Sequence, residues 1–379
     1  MDFTFNETQE MLRDTLARFL ADTYDFETRR KMIASDAGRD PGIWRALATE
    51  LGILGAPFGE EQGGLGGGAL ENMIVMEQMG EAIAIEPYLQ TVVVGGGALK
   101  AAGGPQAEAL IPAIIGGDAI IAFAYAEPQG RYELQNLRTT ARRDGAGWVL
   151  NGHKGVVYAA PWATHLLVTA RTGGGQREDQ GVSLFLIEAN TPGIVRRDYP
   201  TVDGFRASEI YFENVSVPGD ALLGGEGDAL PLIEKIVDEA TASVCAEGTG
   251  VMRRLHAGTM DYAKQRKQFG RAIADFQVLQ HRMVDMFMEV EQAASMTLMA
   301  TLKLDLPEAE RKAAVSQAKA KLGKGLKFTG QSAVQIHGGI GITDELAIGH
   351  YFKRATMIEN QFGSTDHHLA RFQHLSMPD

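Results

Sequence analysis

Ile120-Ile121-Ala122-Phe123-Ala124-Tyr125 marks the point where the chain changes its period. Before it, apolar residues recur at the spacing of a helix face. The run itself is continuous and apolar, and strand-length stretches follow it. Those stretches, 137–142, 147–150, 166–170, 182–187 and 209–212, are punctuated by Asp144-Gly145, Asn151-Gly152, Gly173-Gly174-Gly175 and Pro192-Gly193. Glycine supplies backbone freedom and proline a fixed φ, as turns require. Short runs joined by such turns predict a central antiparallel β-domain over residues 119–226. The 173–181 loop, with its mixed charges, is the expected flexible point of that domain.

Helical spacing lies on both sides. Asn6, with Gln9 three residues later, resembles a capping box, and Leu12, Leu16, Phe19 and Leu20 then fall on one face. Residues 44–54 and 69–79 repeat the pattern around the Gly-rich stretch 63–68, so 1–118 is expected to be an N-terminal helical domain. After Gly227 the spacing returns in three long runs, 230–263, 276–302 and 308–336, and a shorter one, 366–375. The proline in them, Pro231, sits near a helix start, where proline is tolerated. Four antiparallel helices predict a C-terminal bundle over 227–379. The fold class is therefore α+β. Met283, Met286, Phe287 and Val290, at helix-face spacing, are expected in the bundle core rather than at a cofactor.

Composition narrows the function. With 36 Lys and Arg against 48 Asp and Glu, the net charge is -12, and such a surface gains nothing from phosphodiester counterion release. Nucleic acid is excluded as the expected partner. A hydrophobic fraction of 45% is ample for packed cores. No uncharged stretch reaches the roughly 18 apolar residues of a membrane helix, so no membrane partner is expected. The single cysteine, Cys245, permits no internal disulfide and fits a reducing cytoplasm. Residues 1–7 lack the basic and apolar regions of a signal peptide.

Several stretches resemble the acyl-CoA dehydrogenase family in order and spacing. They are Leu51-Gly52-Ile53-Leu54-Gly55-Ala56-Pro57 with Gly63-Gly64-Leu65-Gly66, then Ala126-Glu127-Pro128, Leu150-Asn151-Gly152-His153-Lys154 and Phe212-Glu213-Asn214-Val215-Ser216-Val217-Pro218. Gln265-Arg266-Lys267-Gln268-Phe269-Gly270-Arg271 with Phe276-Gln277, and Gln335-Ile336-His337-Gly338-Gly339-Ile340-Gly341, complete the set. The resemblance implies FAD as cofactor, held between subunits, and α,β-desaturation of an acyl-CoA thioester. It also implies an electron-transfer flavoprotein as electron acceptor and a tetrameric assembly.

At the adenosine end of FAD the resemblance assigns Arg266, Phe269 and Gln277 from a neighbouring subunit, with Gln335, Gly338 and Gly339. A guanidinium binds phosphate oxygens bidentately, and glycine lets backbone approach a ligand closely. At the flavin end stand Tyr125, Ala126 and Tyr158. There the family usually shows Thr-Glu-Pro followed by Gly-Ser-Asp, and later Trp-Ile-Thr-Asn-Gly. This chain has Ala126-Glu127-Pro128, then Gln129-Gly130-Arg131-Tyr132-Glu133, then Val156-Val157-Tyr158-Ala159-Ala160. A hydroxyl becomes Ala126, the tryptophan position Val156 and the second threonine position Tyr158.

The reaction needs a carboxylate of raised proton affinity to take the α-proton, and donors for the enolate-like oxygen. The usual base position in the resembling family falls on Phe362, and the second arrangement falls on Ala240. The remaining candidates are Glu239, Glu247 and Asp366. Glu247 is the candidate catalytic residue, because a lone carboxylate in Ser243-Val244-Cys245-Ala246-Glu247-Gly248 is costly unless paired or used. Its alternative is a buried partner for an arginine such as Arg253, or for a helix end. For Asp366 the alternative is a helix N-terminus, and His367-His368 read as ordinary surface or interface residues.

An intact adenosine end beside an altered flavin and base end resembles the smaller subunit of mixed acyl-CoA dehydrogenases, such as those acting on pimeloyl-CoA or steroid side-chain thioesters. The expected function is acyl-CoA dehydrogenation as one subunit of a mixed oligomer. A homotetramer using Glu247 or Asp366, a non-catalytic structural subunit and a monooxygenase-type flavin reaction are the alternatives.

Overall fold

The structure, a computed structural model, describes residues 4–376. Met1, Asp2 and Phe3, read above for a signal peptide, lie outside them. Six helices come first: α1 (Glu7–Thr23), α2 (Phe26–Ala34), α3 (Pro41–Thr49), α4 (Ala69–Ala82), α5 (Gly97–Ala102) and α6 (Gly104–Ile115). Eight strands follow: β1 (Ile121–Ala124), β2 (Thr140–Asp144), β3 (Gly147–Tyr158), β4 (His165–Arg171), β5 (Val182–Glu188), β6 (Ile194–Pro200), β7 (Arg206–Val217) and β8 (Leu222–Leu223). The chain then enters α7 (Leu230–Gln265), the short β9 (Lys267–Gln268) and β10 (Arg271–Ala272), and α8 (Gln277–Leu302). It ends in α9 (Glu308–His337), α10 (Ala347–Asn360) and α11 (Thr365–Ser376). A helical N-terminal part, a central sheet and a C-terminal helical part are thus as expected.

Asn6 caps α1 as its sequence predicts. Its Oδ1 accepts from the Gln9 amide at 2.9 Å, and Gln9 Oε1 accepts from the Asn6 amide at 3.1 Å. Leu89–Gly96, a segment without a sequence assignment, forms a π-helix whose eight residues are all buried. Its Thr91 hydroxyl accepts from the Ile121 amide at 3.2 Å, tying the π-helix to β1. The extra helix α10 was also absent from the sequence reading. Gly349 and the mixed charges His350, Lys353 and Arg354 interrupt its apolar face, although Ile348, Tyr351, Ala355 and Ile358 are buried.

By contacts the chain divides into two compact units. Among the described residues, one comprises 33–68 and 86–240, the other 4–32, 69–85 and 241–376. In the first, the strand order is β6-β7-β3-β2-β4-β5-β8, with β1 added beside β4. The sheet is antiparallel except that β1 runs parallel to β4 and β2 meets β4 in one parallel pair. β6, which the sequence reading passed over, is an edge strand with alternating exposure and three charged residues, too polar for the apolar-run signal. Trp148, Leu150, Val168, Phe185, Ile210 and Phe212 fill the core, Trp148 meeting Phe185 edge-on at 5.4 Å.

The loop between β1 and β2 is shaped by a buried ion pair. Lys154 has no exposure, and its Nζ donates to Glu127 Oε1 at 2.7 Å and Thr169 Oγ1 at 3.0 Å. Glu127 also accepts from the amides of Arg138 and Thr139, at 2.7 and 3.1 Å, and from Gln129 Nε2 at 2.6 Å. One carboxylate therefore closes the loop at both ends. Burial by itself raises the Glu127 carboxyl, but the ammonium and the N–H donors outweigh it and hold it at about 2. Burial pulls Lys154 down to about 8 against the attraction of Glu127.

The 173–181 loop is pinned in the same way. Arg171 donates to the carbonyls of Gly173, Gln180, Gln135, Gln176 and Glu178. Five carbonyl acceptors on one guanidinium gather both loops, which a charge-rich sequence does not disclose.

In the second unit α1 packs on α4, and α8, α10 and α11 pack on α9. Two glycines set the approach of α4 to α7. A Cβ on Gly80 would strike the Glu247 carbonyl, and one on Gly250 the Glu77 carbonyl. Met283, Met286 and Val290 are buried as expected, whereas Phe287 is half exposed. Among the described residues, no helix is long and apolar enough to cross a membrane.

The Lys154–Glu127 pair makes two predictions. Lys154→Met leaves Glu127 buried without its cation and is expected to cost about 3–5 kcal/mol in urea unfolding. Because the folded Glu127 value lies below its ordinary 4.5, its stabilisation is present above that value and is lost as pH falls toward about 2. Glu127→Gln should flatten that acid limb in unfolding curves collected at stepped pH.

Candidate functional site

The adenosine-end residues gather at one end of the C-terminal helices. β9 and β10 form a hairpin in which Gln268 pairs with Arg271, and Phe269 at φ 53 with Gly270 at φ 80 makes its two-residue turn. Phe269 is 91% exposed. Behind it Arg271 lies 4.1 Å above the Phe276 ring, which meets Phe269 edge-on at 6.1 Å. Ile336 packs with Ile273 and Met283 against this hairpin base, and Tyr262 stacks on His337 at 4.2 Å. Those contacts bring the Gln335–Gly339 segment beside Arg266.

Gly338 has φ 68 and ψ -150, a conformation that suits only glycine. A Cβ at Gly338 or Gly339 would meet nothing within 4 Å, so bare backbone faces open space. Arg266, Gln277 and Gln335 are exposed around it. An exposed guanidinium, an aromatic face and open glycine backbone fit a phosphate-bearing nucleotide.

The flavin-end residues do not offer the expected hydroxyls. Tyr125, Ala126 and Tyr158 are half-buried. Tyr125 stacks on Phe123 at 4.7 Å, and Tyr158 meets Phe205 edge-on at 6.5 Å. The Ala126 carbonyl accepts from the Gly155 amide at 2.9 Å. Ala126 thus carries no side-chain donor and Tyr158 carries its hydroxyl beyond a phenyl ring, so this end does not offer the threonine hydroxyls that the resemblance implies.

Glu247 is brought to Arg354, and Arg253 turns elsewhere. Arg354 Nε donates to Oε1 and Nη2 to Oε2, both at 2.6 Å, with both side chains almost fully buried. Arg253 binds Glu77 at 2.8 Å and Glu291 at 3.4 Å. Both oxygens of the carboxylate are thus engaged by one fixed guanidinium. Ala240 has no exposure, and Glu239 lies against Gly97, where a Cβ would come within 3.0 Å of its oxygen. Asp366 is exposed in the first turn of α11.

Phe362 occupies a turn that is held with care. Lys319, fully buried on α9, donates from Nζ to the carbonyls of Glu359 at 2.9 Å and Gly363 at 2.6 Å. Burial lowers it to about 8, opposed by Cys245 and Glu359. His368 Nε2 bonds the Phe362 carbonyl at 3.1 Å, and its Nδ1 meets Ser316 Oγ at 3.4 Å. A carbonyl only accepts, so Nε2 carries the proton and the serine hydroxyl donates to Nδ1. Burial, with Lys319 and His367 nearby, pushes His368 down to about 2, so it stays neutral. A Cβ on Gly363 would collide with that ring, and Phe362 itself sits at φ 57. Reading His367-His368 as a surface pair missed this role. Adjacent helical residues diverge by about 100°, and here His368 is the one that faces inward.

The Glu247–Arg354 pair predicts a double-mutant signature. Arg354→Met leaves a buried carboxylate alone and should cost about 3–5 kcal/mol, while Glu247→Gln with Arg354→Met should recover part of it. Urea unfolding of the two single variants and the double variant measures this.

Family models for the N-terminal, middle and C-terminal domains of acyl-CoA dehydrogenase match residues 6–118, 122–215 and 230–373. The chain is 29% identical to a probable acyl-CoA dehydrogenase, YngJ, of Bacillus subtilis, over 97% of each chain. It is similar to the ChsE4-ChsE5 complex of Mycobacterium tuberculosis, with TM-score 0.90 and 25% identity over 100% of each chain. It is also similar to a Tcur3481-Tcur3483 steroid ACAD variant, with TM-score 0.88 and 28% identity over 98% of each chain. With three domain models matched in chain order across nearly its whole length, the chain belongs to the acyl-CoA dehydrogenase family.

Proposed function

We propose that this chain works in FAD-dependent α,β-desaturation of an acyl-CoA thioester as one subunit of a mixed oligomer, supplying the adenosine end of a shared site. The observation that carries the reading is the occupancy of the two usual base positions. Phe362 stands in the clamped turn, Ala240 is buried, and Glu247 is bound on both oxygens by Arg354. A general base must come within hydrogen-bond reach of the proton it takes, and Glu247 is almost fully buried against Arg354. Glu247 is therefore read as a structural partner of Arg354, and the base is assigned to the partner subunit.

FAD, when bound, supplies the hydride acceptor. This chain's residues bind and orient: Arg266 would hold phosphate oxygens, Phe269 would cover an aromatic face, and Gln277, Gln335, Gly338 and Gly339 would line the rest. Phe362 presents an apolar ring where the family usually has a carboxylate, so it moves no proton. Similarity to a complex whose name gives two different chains, ChsE4 and ChsE5, supports the mixed assembly. The proposed electron acceptor is an electron-transfer flavoprotein, and the proposed setting is the cytoplasm.

Anaerobic flavin bleaching tests the reading. The chain alone, supplied with FAD and with short- and long-chain acyl-CoA thioesters, should leave the flavin oxidised. Co-expressed with a second acyl-CoA dehydrogenase chain from the same gene neighbourhood, it should bleach at a rate that Glu247→Gln leaves nearly unchanged. Bleaching by the chain alone, lost on Glu247→Gln, would overturn the assignment.

A further inference from the structure

A cavity of about 310 Å³ opens among the helices of the second unit, where the C-terminal ends of α1 and α4 and the start of α2 meet α7 and α10. Every residue that lines it belongs to that unit. Its size is at the lower end of the about 300–1,000 Å³ usual for small-ligand pockets. Arg254, its cation on α7, precedes Arg266 by twelve residues, roughly 18 Å along the axis. Tyr351 on α10 lies nine residues before Asn360, roughly 13 Å short of the end that leads into the Phe362 turn. The cavity therefore stands apart from the adenosine end and from that turn.

One wall is fixed. Ile83, a β-branched residue, is held at φ 44, and the almost fully buried Arg29 donates from Nε to its carbonyl at 2.7 Å and from Nη1 to His350 Nδ1 at 3.3 Å. Such backbone persists only where its surroundings over-determine it. Leu20, Phe26 and Ile83 give the cavity its apolar side. Its polar side holds groups without partners. Gln78 is 8% exposed, and its side-chain amide makes no hydrogen bond among the described residues. Arg254 is exposed, and no carboxylate comes within ion-pair distance of it among the described residues, Glu81 and Asp261 acting from farther off. Tyr351 gives its proton to the Glu81 carbonyl, which leaves its oxygen to accept from Arg254. Gln78 and Glu81 also border a second hollow, but the cations there are engaged, Arg253 by Glu77 and Glu291 and Arg13 by Asp14.

The geometry points to a binding site for a small monocarboxylate with an apolar body, the carboxylate on the Arg254 guanidinium and the Gln78 amide, the body against Leu20, Phe26 and Ile83. A guanidinium with open donors takes a carboxylate bidentately, and a buried amide without a partner gains from any ligand that supplies one. Glu81, half-buried in the same lining, limits the charge: Arg254 meets one negative group, and a second would face that carboxylate. Asp25, also in the lining, is held by the Glu27 and Thr28 amides and the Thr28 hydroxyl. The site is independent of the mixed-oligomer reading.

Titration calorimetry of the full chain with benzoate, benzamide and benzylamine tests the site. Benzoate is expected to bind at least about tenfold more tightly than benzamide, which keeps the shape without the charge, and than benzylamine, which inverts it. Arg254→Met should weaken benzoate about tenfold, Arg254→Lys should restore part of that loss, and Glu81→Gln, which removes a negative charge from the lining, should tighten it about threefold. Ala21 is exposed on α1 and lines the cavity, so Ala21→Phe fills the space and should abolish binding with both charged groups intact. Benzoate and benzamide bound alike, or benzoate affinity unchanged in an Arg254→Met or Ala21→Phe chain whose circular dichroism matches wild type, would overturn the site. Absence of benzoate binding at about 10 mM would do the same. Tighter binding of benzylamine, weakened by Glu81→Gln, would overturn the carboxylate as ligand and put an ammonium in its place.

Discussion

Lys154, sunk without exposure into the β-domain, is tolerable only because acceptors surround its ammonium, and the loop from Ala126 to Thr139 is built to supply them. A buried cation costs several kcal/mol unless it is paired and hydrogen-bonded. That constraint reaches beyond the pair. Glu127, once fixed on Lys154, collects the Arg138 and Thr139 amides, and the loop between them can no longer move independently. Arg171 repeats the device with five carbonyls, Lys319 with two, and Arg354 with both oxygens of Glu247.

These buried cations hold the loops that carry Ala126, Tyr132 and Phe362. The Lys154 loop carries Ala126 and Tyr132, and the Lys319 clamp carries Phe362. Scaffolding of that kind fixes backbone, and backbone is indifferent to which side chain it presents. Ala126, Tyr132 and Phe362 are therefore carried without cost to the fold. The geometry of the exposed end of the C-terminal helices depends on Tyr262, His337 and the hairpin rather than on either loop.

Legibility followed range. The Asn6 cap, the apolar run at Ile120 and the turn residues between strands were readable because their physics lies within a few residues. β6 was missed because an edge strand needs one apolar side at most, and α10 because Gly349 and charged residues break its face. His368 was not legible, since two adjacent residues of a packed helix can both face solvent, as Leu369 and Ala370 do on the same helix. Nothing local distinguishes Lys319 from the lysines around it on α9.

By itself the sequence determined the order of helix, sheet and helix, and it placed Arg266 beside a Phe-Gly turn and Gly338-Gly339 after a long helix. Each is a matter of period or of spacing along the chain. Only the tertiary structure decided which cations are buried and which carboxylate is free. Glu247 and Arg354 are 107 residues apart, and their pairing depends on how α7 and α10 pack. A carboxylate's chemistry is set by the charges and donors within a few ångströms, and the chain's order does not say which those are.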